Sequence, residues 1–215
     1  MAAANVSTRF NSFVFFDTET TGLHKDEHRP SITELCLLAV HREDMQTRDT
    51  EARVVNKLLV CLNPGQPVQP RAEEMSGLSH DMLESESPFN PDVVRLVSLF
   101  LGRLTSPVCL VAHNGNEFDF LLLHSELYKV DGALPESIYC VDSLIYFRQT
   151  RESPGRQSFS LGEVYRRSFG EDPHDAHSAE GDCVTLMKVT KESSPDFLQW
   201  VDDNAVRLNT ISKMY

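Results

Sequence analysis

Residues 13–22 read Phe13-Val14-Phe15-Phe16-Asp17-Thr18-Glu19-Thr20-Thr21-Gly22, and the fold class follows from them. An apolar run that ends in acids is the pattern of a short strand buried on both faces, with its end reaching solvent. In a strand, positions i and i+2 face the same way. Asp17 and Glu19 therefore project together, and Thr18 points away from them. Two neighbouring carboxylates repel unless a proton or a cation stands between them. For oxygen-only ligands that cation is Mg²⁺ or Mn²⁺. Alone, the motif is also compatible with a solvated strand end, where acids are common.

Outward from this strand, Ile32 to Val40 and Arg53 to Leu62 are two more apolar runs. The connections are short enough for antiparallel pairing. Asn63 to Pro70 carries three prolines and a glycine and reads as a loop. The period then changes. Val94, Val97, Leu101 and Leu104 recur at helical spacing and predict a helix from Pro91 to Leu104. Val108 to Ala112 is a fourth strand, and Asn116 to Lys129 a helix with Phe118, Leu121, Leu122 and Ser125 on one face. Tyr139-Cys140-Val141 is a short fifth strand, and helices are expected near 144–149, 160–168, 179–191 and 195–208. Strands first, then alternation, then helices alone predict an α/β layered fold with a mixed five-stranded sheet flanked by helices. One domain is expected over residues 11–215, with residues 1–10 and the segment around 151–157 flexible.

Composition narrows the class. Hydrophobic residues make up 40% and charged residues 24% of 215, a normal balance for a globular chain. The net charge of −12 argues against an indiscriminate polyanion binder, though acidic metal ligands account for part of it. The five cysteines are scattered, with no C-x-x-C spacing, and read as reduced core thiols. No basic n-region with an apolar stretch opens the sequence, and no run of about 18 apolar residues occurs. A cytoplasmic or nuclear protein without membrane attachment is expected.

Two further acidic segments fall where α/β folds gather their sites, at strand ends and helix N-termini. His113-Asn114-Gly115-Asn116-Glu117-Phe118-Asp119 runs from strand through turn to helix. With Asn116 as cap, Asp119 lies in the first turn, where the helix dipole favours a carboxylate. His113 reads as structural. Asp175-Ala176-His177-Ser178-Ala179-Glu180-Gly181-Asp182 leads into a late helix with Ser178 as cap. His177 then sits on the loop and Asp182 inside the helix. First-turn acids and loop histidines are each commonplace alone; the combination is specific.

Asp-x-Glu after a first strand, an Asp opening a middle helix, and His-x-x-x-x-Asp opening a late one match the DEDDh, or DnaQ-like, 3′→5′ exonuclease signature. Ser178 stands where the tyrosine subclass has Tyr. The chain resembles the animal three-prime repair exonuclease (TREX) family over almost its whole length. Matching stretches are 15–23, 32–42, 73–79, 112–115, 140–143, 160–162 and 179–182, and Ile32 to Arg42 is the most family-specific. The resemblance implies a ribonuclease-H-like fold, a homodimer, Mg²⁺ dependence and removal of nucleotides from DNA 3′ ends. In that reading Asp17, Glu19, Asp119 and Asp182 hold two metal ions, with Mn²⁺ able to replace Mg²⁺, and His177 is the general base. Gly22 and Leu23, Met75 in a loop at 74–77, and Phe118 are the expected grip on the terminal nucleotide, apolar enough to stack on any base. No proline-rich insertion precedes His113 and no hydrophobic tail follows, so no membrane anchor and no proline-directed partner is expected.

Two expectations concern surfaces. Arg148, Arg151, Arg156, Arg166 and Arg167, opposed only by Glu152 and Glu163, make 148–167 a basic segment of charge +3 (5 − 2). A loop there would bind DNA phosphates, single strands preferred. The Arg53 to Leu62 strand, outermost in a meander, would pair with its twin in a homodimer. The alternatives are an RNA 3′ exonuclease of the same fold and an inert module that binds nucleic-acid ends. Interactions with the 2′-OH separate DNA from RNA, and the sequence does not reveal them.

Overall fold

The computed structural model describes residues 8–25, 27–49, 52–150 and 157–215. The chain opens with β1 (Ser12–Thr20), β2 (Ile32–His41), a short α1 (Arg42–Gln46) and β3 (Val54–Cys61). It continues through α2 (Pro70–Ser76), α3 (His80–Leu83), α4 (Pro91–Gly102), β4 (Val108–Ala112), α5 (Asp119–Lys129) and β5 (Ile138–Asp142). It closes with α6 (Ser143–Thr150), α7 (Leu161–Phe169), α8 (Ala179–Glu192), α9 (Asp196–Asn204) and β6 (Val206–Arg207).

The sheet order is β3-β2-β1-β4-β5-β6. β1 and β2, β2 and β3, and β5 and β6 pair antiparallel. The β1–β4 and β4–β5 pairs are parallel. This is the mixed, helix-flanked sheet expected from the order of elements. β1 lies inside it and is covered on both faces, as its apolar run requires. Phe13 and Phe15 pack into a core with α6, α7, α8 and α9. Val14 and Phe16 pack into a second core with α4 and α5. A fully buried phenylalanine stabilises by about 1.5–3 kcal/mol, so this alternation locks the β1 register.

The sheet has six strands where five were expected. The run 195–208 is not one helix: α9 stops at Asn204, Ala205 turns to an extended conformation, and Val206 and Arg207 pair with Cys140 and Tyr139. Arg207 also stacks over the Tyr139 ring at 4.9 Å and donates to the Glu136 carbonyl. Phe197, Val201 and Leu208 keep a helical spacing, which masked the break. Of the segment expected to be flexible at the start, residues 1–7 lie outside the described residues. Phe10 is fully buried and its N–H donates to Asp202. Phe10 therefore packs with the domain expected over residues 11–215. A buried, bidentate Arg42–Asp202 pair at 2.9 and 2.7 Å fixes this entry against α9.

Met75 does not sit in a loop. It belongs to α2, which starts at Pro70, ends at Ser76 and is capped by Gly77 in the left-handed region, with the Gly77 N–H donating to Glu73 O. Proline first and glycine last are ordinary helix limits, but seven residues are too few for a visible period. Asn116 is not the cap of α5, which begins only at Asp119. No helix among the described residues is long and apolar enough to cross a membrane.

Candidate functional site

At the end of β1 the alternation continues with polar residues. Asp17 and Glu19 lie on the side that faces α8, and Thr18 on the side that faces α5. α8 is capped by Ser178, whose hydroxyl accepts the Gly181 N–H at 3.1 Å. Asp182 is thereby in the first turn and reaches β1. Asp17, Glu19 and Asp182 each offer a carboxylate oxygen within 4.8 Å of the others. Among the described residues this is the group of acids, histidines and cysteines able to hold an ion.

Burial and mutual repulsion oppose ionisation here. Burial pushes Asp17 well above the usual carboxylate range, and Asp119, Asp182 and Glu19 add to the effect. Glu19 rises from 4.5 to about 8, by burial first and by Asp182, Glu34 and Asp119 next. Asp182 is raised by burial, with His177 pulling the other way. Such a set either keeps protons or takes up positive charge. All donors are hard oxygens, so the set fits a divalent cation of the Mg²⁺ class.

Asp119 is not one of the three within 4.8 Å, but it approaches them from α5, and its charge raises Asp17 more than that of Asp182 does. It is buried in the first turn of α5, and the Thr18 hydroxyl donates to it at 2.7 Å. Burial lifts its pKa to about 6, against the lowering effect of that hydrogen bond. One strand thus carries both relationships: Asp17 and Glu19 meet Asp182 from α8, and Thr18 holds Asp119 from α5.

His177 is exposed on the loop before α8 and has φ +68, as Asp175 has φ +53. Its backbone amide lies near enough to the Asp182 carboxylate to favour that group's charged form. Its side chain lines an open surface depression with Pro70, Arg71, Glu74 and Met75. Gly181 makes this loop possible, since a Cβ there would lie 2.0 Å from the Asp175 carbonyl oxygen.

Next to the acids is a cleft of about 640 Å³ lined by Gly22, Leu23, Met75 and Phe118 together with Glu19 and Arg71. The four residues expected to grip a nucleotide thus share one cavity. Leu23 is 70% and Met75 45% exposed, so neither is a core side chain. Phe118 is half-buried and also packs on the α5 core. Gly22 has φ +148, and a Cβ there would lie 2.3 Å from Gln69 Oε1.

The basic segment is only partly described. Arg151 and Arg156 lie outside the described residues. Arg148 lines a separate depression with His113, Asn114 and Phe159. Arg166 is committed within the protein, paired with Glu163 and also with Asp172, an acid just outside the 148–167 segment. Arg167 donates to Ser158 O at 2.8 Å and stacks over Phe159. His113 is structural, as expected: Ser143 Oγ and Phe159 O each lie 2.8 Å from a ring nitrogen, and burial lowers its pKa.

Two supporting acids were not anticipated. Glu34, the lone acid in the apolar run of β2, pairs with Glu19 in register and accepts the Ala179 N–H at 2.9 Å, which seats α8. Asp142 accepts N–H groups of Asn114, Asn116 and Leu144 at 2.8–3.2 Å and shapes the turn before α5. A buried acid among apolar neighbours is the available signal for both.

Comparison with known proteins agrees with this geometry. The exonuclease family RNase_T matches residues 14–190. Three-prime repair exonuclease 1 of Bos taurus is 39% identical over 223 residues, covering 95% of this chain and 70% of that protein. Three prime repair exonuclease 2 of Mus musculus is 37% identical, covering 96% and 94%. Among solved structures, the nuclease domain of 3′hExo, a DEDDh family member bound to rAMP, superposes with TM-score 0.70 at 13% identity, covering 90% and 96%. E. coli Exonuclease I in complex with a dA16 oligonucleotide gives 0.66 at 19% identity, covering 89% and 43%. These two likenesses establish the ribonuclease-H-like fold. The chain belongs to the RNase_T exonuclease family, within its three-prime repair exonuclease group, and is a 3′→5′ exonuclease.

Proposed function

We propose that this exonuclease removes nucleotides from DNA 3′ ends, single strands in preference, and releases nucleoside 5′-monophosphates. The observation that carries this reading is the carboxylate trio within 4.8 Å beside a cleft lined by exposed Leu23 and Met75. Asp17, Glu19 and Asp182 would hold one Mg²⁺, and Asp17 with Asp119 a second, with Mn²⁺ as substitute. Bound there, the ions supply a water of lowered pKa and neutralise charge on the leaving oxygen. Leu23, Met75 and Phe118 stack on the terminal base and sugar without reading sequence. His177, on an exposed loop, accepts the proton of the attacking water, a task that requires its neutral form.

The partners follow from the same reading. Arg148, Arg151 and Arg156 bind phosphates of the strand. Two copies join through β3, an edge strand on which Val54, Val55 and Leu59 are about two-fifths exposed. A second reading, RNA 3′ ends as substrate, draws on the solved relative bound to rAMP. Digestion of matched 5′-labelled single-stranded DNA, duplex DNA and RNA with Mg²⁺ decides between them. Single-stranded DNA is expected to shorten fastest, and preferred RNA cleavage would overturn the DNA assignment. A folded Asp17→Ala protein should be inactive, and His177→Ala slower by roughly 10²–10⁴-fold with metal binding kept. Near-normal turnover in Asp17→Ala would remove the site from the acids.

A further inference from the structure

The excursion between β1 and β2 has two sides. Its neck is closed by Thr21 and Ser31, which exchange hydrogen bonds through Thr21 N–H to Ser31 O at 3.0 Å and Ser31 N–H to Thr21 Oγ1 at 3.1 Å. Leu23, Lys25, Glu27 and His28 line the cleft beside the carboxylates. His24, Arg29 and Pro30 face the other way and meet Tyr215. The Tyr215 hydroxyl donates to Pro30 O. Its ring lies 5.8 Å from His24 and carries the Arg29 guanidinium at 5.6 Å.

Tyr215 is itself held by α5. Ser125 Oγ accepts the N–H of Met214 at 2.9 Å and of Tyr215 at 3.3 Å, and Met214 N–H also donates to Leu121 O at 3.0 Å. Lys129 Nζ donates to the Tyr215 hydroxyl at 3.0 Å and lies 5.1 Å from the ring centre. The helix that carries Asp119 in its first turn thus holds, two turns later, the residue that holds the loop. Ile211, Met214 and Tyr215 also cover part of the core. Covering a core needs apolar area alone, however, and the polar bonds of Tyr215 go to the loop and to α5.

We propose that residues 211–215 form a strap that ties the cleft-lining loop at 22–30 to α5, and that Tyr215 is a positioning residue for the 3′-terminal nucleotide. The proposal rests on the reading of the cleft as the nucleotide grip. Leu23 is the exposed apolar side chain of that loop, so its stacking geometry relative to Asp119 depends on the strap. A tethered loop gives up its freedom before substrate arrives, which strengthens binding without touching the chemical step.

The test compares the full chain with Tyr215→Ala and Tyr215→Phe on a 5′-labelled single-stranded DNA, and follows trypsin cleavage after Lys25, the tryptic site of the loop, since Pro30 blocks cleavage after Arg29. Tyr215→Ala should raise KM about five- to thirtyfold with kcat within about twofold, because it removes one hydrogen-bonding hydroxyl and the ring packing. Cleavage after Lys25 should accelerate by a similar factor. Tyr215→Phe keeps the ring against His24 and Arg29 and should fall between wild type and Tyr215→Ala on both measures, which covers the case of a poorly folded alanine variant. An unchanged KM, a loss confined to kcat, or unaltered cleavage of the loop in a folded variant overturns the strap. The protease measurement needs no nuclease activity, so a failed DNA assignment would not be mistaken for a failed strap.

Discussion

Glu19→Gln separates the stability of this site from its function. The substitution keeps shape and removes one charge from the crowded end of β1. Glu19 ionises near 8 in the folded protein against 4.5 ordinarily. A raised carboxylate gives the fold an advantage below pH 4.5 that is lost as pH climbs to 8, because the folded state binds the extra proton. At pH 7 the penalty is bounded at about 3 kcal/mol, from about 2.5 pH units at roughly 1.36 kcal/mol each. Water in the cleft and proton sharing with Asp17 and Asp182 reduce this to about 1–3 kcal/mol. For a chain of this length that is about 3–10 °C in Tm. In EDTA, Glu19→Gln should melt above wild type by this amount at pH 7 to 8, with the gap closing toward pH 4.5. Added Mg²⁺ should stabilise wild type strongly and the variant little, since a ligand is gone. The measurement is differential scanning fluorimetry across pH with EDTA or Mg²⁺. A variant that melts at or below wild type in EDTA at pH 8 would refute the idea that like charges are held together here for a cation.

Four other outcomes are expected. Gly181→Ala should cut turnover at least tenfold while β1 and β2 stay intact by circular dichroism, because its Cβ would meet the Asp175 carbonyl at 2.0 Å and displace the loop carrying His177. Asp202→Ala should destabilise by about 3–5 kcal/mol in urea unfolding, since it strands a buried Arg42 guanidinium. Light scattering at micromolar concentration should show a dimer that Leu59→Lys weakens, because β3 leaves an apolar edge open. Replacing Arg148, Arg151 and Arg156 with Ala should flatten the salt dependence of single-strand binding by about 0.7 in log–log slope for each phosphate no longer neutralised, equally for different sequences; an unchanged slope would leave these arginines without a role in binding.

The order of elements along the chain was legible because it depends on local rules. A run of four apolar residues before Asp17 has one comfortable place, inside a sheet, and alternation alone puts Asp17 and Glu19 on a common side. Ser178 capping α8 and Asp182 in its first turn also follow from adjacent residues. The candidacy of Leu23 and Met75 came from resemblance and that of Phe118 from its place beside Asp119, and the three residues do line one cleft.

What the sequence could not decide depends on interactions between distant residues. The hydrogen bond from Thr18 to Asp119 spans 101 positions and fixes Asp119 beside β1, where its charge acts on Asp17, a placement no spacing rule encodes. Asp142, and not Asn116, holds the amides before α5, because a strand end 26 residues away supplies the better-placed carboxylate. Val206 and Arg207 form a sixth strand because the open edge of β5 accepts their backbone groups, overriding a helical spacing. By itself the sequence determined which residues form most strands and helix N-termini and which faces carry acids. Only the tertiary structure decided which acids come together and which hold helices in place, since those outcomes turn on distances of a few ångströms between segments far apart in the chain.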